Sequence, residues 1–257
     1  DADFMGRAFP ELQMVLPGIR GKSIAPIACQ DEYGNQAVLE VSKVENNQDA
    51  EMKMRMKCVE MGMKIAISLC PLKAKDVDSF TICNSYSFAW KIGKIIYEAK
   101  QRNVNPLLEL QKSDEAVLKN SKIVYHGKIV KLTRENDGGF NRGTVQLQKV
   151  NDIENSAQYG DQNRFIPADN IFIDIQNENY LIRTAEKHLI TVPDLIVMFD
   201  ADFRAIPTEE LRYGISVHVM VLAANPLLKT EEALKVVGPA GFGYKGVDYI
   251  PIEDFKV

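Results

Sequence analysis

Short apolar runs and helical stripes alternate along the first half of the chain, and they predict its elements directly. IAPIAC (Ile24 to Cys29) reads as a buried strand, and the turn DEYGNQ, with Gly34-Asn35 at its tip, folds it onto AVLEV (Ala37 to Val41) as a hairpin. From Asp49 to Met63 the methionines Met52, Met54, Met56, Met61 and Met63 interleave with charged residues. A period of two there suggests a strand, but Met54, Cys58 and Met61 fit one helical stripe among strong helix formers, and helix is the preferred reading. A methionine-lined copper or cofactor site is the sharper interpretation of these thioethers, and adaptable core filler the commoner one. KIAISLC (Lys64 to Cys70) predicts a short buried strand closed by Pro71. Phe88, Ile92, Ile95 and Ala99 then recur at helical spacing behind a cap at Asn84 or Ser85, and Lys100 and Arg102 close the helix against its dipole. The single tryptophan, Trp90, is assigned to packing. A short helix or loop follows Asn105-Pro106 as far as Lys119.

Near Ser121 the pattern changes to alternation. GKIVKLTR (Gly127 to Arg134) and GTVQLQKV (Gly143 to Val150) flank a turn at Gly138-Gly139. Asp152 to Asn163 reads as a mobile polar loop, and IFIDIQNENYLIRTA, HLITVPDLIVMFD and RYGISVHVMVLA supply further short strands. Closely spaced strands of this kind predict a β-barrel or sandwich. A last helix runs from a Thr230 cap to Gly238, followed by GPAGFGY (Gly238 to Tyr244). The expected fold is therefore mixed, α+β or α/β, in two parts. An α/β layered portion over 1–120 precedes a barrel-like β portion over 121–225. The helix and glycine-rich return over 226–257 can pack back on the first portion.

Composition narrows the function classes. With 257 residues, 46% hydrophobic and 26% charged, and a net charge of -4, the chain has an ordinary globular balance. It has no block of Lys and Arg to meet nucleic acid or an anionic membrane. No apolar run approaches the roughly 20 residues of a membrane helix, and no signal-peptide pattern opens the chain, which points to the cytoplasm. The four cysteines lack CxxC spacing and are expected to be free thiols. His126, His188 and His218 lack paired zinc spacing, and His218 reads as a core residue; no metal site is expected and no cofactor is specified.

Candidate chemistry concentrates in the opening stretch, DADFMGRAFPELQM. Asp3 is an acceptor, Arg7 offers a planar donor fork, and Gly6 lets backbone approach closely. The plainer reading is a helix start with Pro10 at its first position and Glu11 in its first turn. Farther on, Gln176, Asn177 and Glu178 interrupt one strand, and Pro193-Asp194 another. Such groups either read the N–H and C=O edges of a cyclic imide or satisfy their own backbone at a bulge. Arg134 and Arg142 flank a Gly-rich hairpin, and Gly241 and Gly243 offer either a backbone approach to a ligand or a tight return.

The opening motif, GKIVKLTRENDGGFNRG, IQNEN, VPDLI, PTEELRYG and VGPAGFGY occur in an order that resembles the S-methyl-thiohydantoin desulfurase-like family, which is associated with hydantoinase and oxoprolinase proteins. The resemblance implies an α/β domain, a β-barrel domain and hydrolytic desulfurisation of a thiohydantoin-type ring. The catalytic candidates are Asp3, Glu178 and Asp194; the substrate-binding candidates are Arg7, Arg142, Asn177, Gly241 and Gly243. The rival reading is a non-catalytic accessory subunit of a hydantoinase/oxoprolinase assembly. The family also carries a glycine-run segment ahead of the opening motif. Without it these 257 residues are expected to catalyse poorly and to self-associate as a homo-oligomer.

Overall fold

The computed structural model describes residues 1–137, 139–150 and 165–255. The polar stretch Asp152 to Asn163 lies outside them. Strand β1 (Ala2–Asp3) opens the chain and leads through a 3₁₀ turn into α1 (Leu16–Ile19). Pro10 therefore does not start a helix. The hairpin forms as β2 (Ile27–Asp31) and β3 (Gln36–Leu39), with Asp31 Oδ1 accepting the Tyr33 and Asn35 amides to close its turn. Helix α2 (Asn47–Glu60) follows, capped by the Asn46 side chain on the Gln48 and Asp49 amides. Strand β4 (Ile65–Leu69) pairs with β2, giving the order β3-β2-β4.

Two apolar stretches are wetter than their sequence suggests. β4 is an edge strand with Ile67 exposed, so the forecast of a buried strand fails there. On α2, three methionines at a spacing of two cannot share one helix face. Met54 enters the core with Ile24, Ile27 and Ala50, while Met52 and Met56 face solvent, so they are not core filler.

Short helix α3 (Val77–Phe80) and strand β5 (Ile82–Cys83) lead to α4 (Ser85–Gln101), and α5 (Pro106–Gln111) and α6 (Ala116–Lys119) finish this half. Trp90 on α4 is 68% exposed, against its assignment to packing. The second half is one antiparallel sheet of seven strands: β6 (Lys122–Asp137), β7 (Phe140–Lys149), β8 (Asn170–Gln176), β9 (Glu178–Arg183), β10 (His188–Thr191), β11 (Leu195–Phe199) and β12 (Ser216–Leu222), in the order β10-β9-β8-β7-β6-β12-β11. The edge strands β10 and β11 are consecutive in the chain, joined by residues 192–194, so the sheet has to curl to bring its edges together. Asn179 Nδ2 of β9 donates to Ile196 O of β11 at 3.1 Å across the remaining gap. The result is a half-barrel, where the sequence predicted a barrel-like sheet. Inward-facing Ile129, Val145, Ile173, Ile182 and Val219 fill it. Helix α7 (Glu231–Val237), capped by Thr230 on the Ala233 amide, buries Ala233 and Val237 against Leu16 and Ile19 of α1.

His218 on β12 is buried and stacks on His126 at 4.2 Å, next to Phe203. Burial, followed by repulsion from His126, lowers its pKa to about 4. The folded state therefore binds this proton less well than the unfolded chain, whose histidine titrates near 6.5. The stability linked to neutral His218 is fully present above about pH 6.5 and is lost as pH falls towards 4, by about 2–3 kcal/mol. Urea unfolding of the parent and of His218→Leu across this range should show a steeper loss of stability towards pH 4 in the parent than in the variant. Parallel profiles would refute the assignment.

Candidate functional site

The opening segment is held on both sides. β1 pairs with β5 through Ala2↔Cys83 and Asp3↔Ile82, and Asp3 Oδ1 accepts the Met5 and Gly6 amides in a local turn. Gly6 sits at φ +69°, a conformation that strains L side chains, and a Cβ there would lie 2.5 Å from Ile82 Cδ1, so any other residue would be strained and Ile82 would have to shift. Asp1 reaches over to α4, its Oδ1 accepting the amides of Tyr86 and Ser87. Asn84, at the cap position with φ +60°, supplies no side-chain cap of its own. The positive end of this 17-residue helix is thus met by a carboxylate of the chain itself.

Arg7 crosses from the opening segment to the half-barrel. Its Nη1 donates to the carbonyls of Asp194 at 2.5 Å and Pro193 at 3.3 Å, its Nη2 to Asn179 O at 3.2 Å and its Nε to Ala8 O. Part of the residue still meets solvent, but the charged end is enclosed. Burial lowers its pKa to about 10, opposed by the charges of Glu178 and Asp194, and it stays protonated at neutral pH. Asp194 is fully buried: Oδ1 accepts Ala224 N–H and Tyr249 O–H, and Oδ2 accepts Ile252 N–H, each at 2.8 Å. Burial raises its pKa, with those bonds pulling it back. Glu178 is half-buried, and desolvation raises it against the pull of Arg7. Asn177 occupies the left-handed region at φ +58° as the single residue between β8 and β9, and its Oδ1 accepts Asn141 N–H. The opening motif touches this turn, since Gln176 Nε2 donates to Glu11 Oε1.

A cleft of about 520 Å³ lies where the halves meet. Gly6, Arg7, Cys83, Asn84 and Ser85 form one side, Pro193 and Ala223 to Asn225 another. Phe88, Val117, Leu195, Leu222 and Leu228 give apolar walls, and Lys91 bonded to Glu115 at 2.8 Å adds a charged pair. Ser85 Oγ, buried beside the cleft, has no hydrogen-bond partner among the described residues. Of the catalytic and substrate-binding candidates named from the sequence, Arg7 lines this cleft, with Gly6 and Pro193 beside it. Asp3, Asn177, Glu178, Asp194, Gly241 and Gly243 are not among its lining, and Arg142 lines a different cleft. Cys83, Ser85, Lys91, Glu115 and Asn225 had no motif to mark them; the one trace was the cap signal at Asn84-Ser85.

The four cysteines are free, with Cys83 exposed. Among the described residues, no three His, Cys, Asp or Glu side chains are grouped to hold a metal ion, and no helix is long and apolar enough to cross a membrane.

Family models described as the N-terminal and C-terminal domains of S-Me-THD-like proteins match residues 1–41 and 45–252. The chain belongs to the S-Me-THD-like family. Both family domains contribute to the cleft, Gly6 and Arg7 from the N-terminal one and the remaining lining from the C-terminal one. No curated protein matches the chain. A crystal structure of a protein from Chromobacterium violaceum shares the fold at a TM-score of 0.71 and 18% identity, over 98% of this chain and 65% of that one. The family member described here thus spans about two thirds of that protein's length.

Proposed function

We propose that the cleft binds a hydantoin-type ring and supports hydrolytic desulfurisation of an S-methyl-thiohydantoin. The observation that carries this is the pairing of apolar walls with the unpartnered Ser85 hydroxyl in a space sized for a small ring. A neutral five-membered ring with an apolar substituent suits it better than an anion, because Asp1 already meets the α4 N-terminus. In the reaction water adds across the ring C2=N bond, one of its protons ending on that nitrogen, and as the C2–S bond breaks and C2=O forms the other proton leaves with methanethiol. Glu115 takes the proton of the attacking water, Lys91 returns one to the departing sulfur, and Ser85 donates to the ring.

The test is methanethiol release from an S-methyl-thiohydantoin, with ring binding followed by NMR. Glu115→Gln should lower turnover by roughly 100-fold or more with binding retained, the usual range for a lost acid or base. Ser85→Ala should weaken binding. Turnover untouched by either substitution would refute the site.

One observation favours a second reading, the accessory subunit: Tyr86, Trp90 and Tyr97 leave α4 with an exposed aromatic face of the kind that marks partner surfaces. Saturable ring binding without turnover, restored by a hydantoinase/oxoprolinase partner, would support it.

A further inference from the structure

The outer face of the half-barrel carries a second, polar cleft of about 560 Å³. In-register Thr133, Thr144 and Asp174 place one row of side chains across β6, β7 and β8. Gly143 beside them is required for the close approach of the strands, since a Cβ there would strike the Thr133 carbonyl. Buried Asp174 binds Arg183 through Nε at 2.7 Å and Nη2 at 3.2 Å, and also accepts Thr144 Oγ1 at 2.7 Å and Tyr244 O–H at 3.0 Å. Phe172 stacks under the Arg183 guanidinium at 4.8 Å. That fork is therefore fixed in plane by a carboxylate and a ring, and its Nη1 makes no bond among the described residues. The glycine-rich return explains Tyr244. Gly241 lets the last turn close on Val236, Gly243 reverses the chain at φ +87°, and the Tyr244 hydroxyl arrives between Asp174 and Tyr180.

We propose that this cleft is a binding site for a small carboxylate, received in plane at the Nη1 edge of the Arg183 guanidinium, the edge opposite the Asp174 pair, with Lys187 at its rim. A planar, immobilised guanidinium matches carboxylate geometry, and immobilisation before binding removes an entropic cost. Burial keeps both tyrosine hydroxyls protonated well past neutral pH, so they remain donors. Asp174 is ion-paired with Arg183, while Glu135 and Glu186 share the lining with Arg142 and Lys187, so the cleft carries no strong excess of positive charge. Selectivity accordingly rests on the shape of the fork rather than on net positive field.

The test is an NMR titration of the full chain with malonate, and with inorganic phosphate and methylammonium as controls. Malonate should shift the resonances of Arg183, Tyr180 and Tyr244 saturably. Lys187→Met, at an exposed position that leaves the fold intact, should weaken binding about threefold to tenfold, as expected for one charge-assisted contact. Arg183→Lys should abolish it, and the Lys187 variant keeps the test decisive if Arg183→Lys unfolds. No saturable shift with malonate, or an equal response to phosphate or methylammonium, would overturn the proposal. Its outcome is separable from that of the ring-binding cleft, because different residues respond.

Discussion

Arg7→Met is expected to destabilise the fold by about 3 kcal/mol or more, because it leaves the carbonyls of Asn179, Pro193 and Asp194 without their shared donor. At about 2–4 °C per kcal/mol for a chain of this size, the melting temperature should fall by about 10 °C. Arg7→Lys should recover less than half of the loss. An ammonium keeps the charge, but it cannot span carbonyls that the planar fork reaches from two different nitrogens. Calorimetry and urea unfolding of both variants decide the matter. A change within about 0.5 kcal/mol, the range of an ordinary surface substitution, would show that the strut carries no stability. The strut links the opening segment to the turn before β11, so its loss should also loosen the cleft that Gly6 and Pro193 border.

Asp194→Asn should cost about 3–4 kcal/mol. Each carboxylate oxygen accepts a backbone amide, Ala224 on Oδ1 and Ile252 on Oδ2, with the Tyr249 hydroxyl added to Oδ1. An asparagine has to turn its NH₂ group towards one of these donors, leaving a buried N–H pair face to face and a bond unmade. Tyr249→Phe removes one donor only and should cost about 1 kcal/mol. Urea unfolding gives both numbers. If Asp194→Asn were the milder of the two, Asp194 would not be the anchor that ties the C-terminal tail to the half-barrel, and a role in chemistry would return to consideration.

The elements themselves were legible in the sequence because their signals are local. Hydrophobic alternation marked β6, β7 and β12, helical spacing of Phe88, Ile92, Ile95 and Ala99 marked α4, and the Thr230 cap marked α7. The ordered motifs carried the family as well. What they could not convey was exposure: residue type and helical spacing do not say what covers a face, so Met52 and Met56, read as core filler, and Trp90, read as packing, lie open to solvent.

The partners of the charged residues were decided by the tertiary structure alone. Arg7 meets carbonyls more than 170 positions away, Asp1 caps a helix that starts at Ser85, and Asp194 holds Ile252. A side chain's type says which bonds it can make, but the curl of the sheet and the packing of α7 on α1 determine which groups come within 3 Å of it. For the same reason Ser85, Lys91 and Glu115 converge on the cleft with no spacing in the chain to announce them, while Gly241 and Gly243 serve to carry Tyr244 to Asp174.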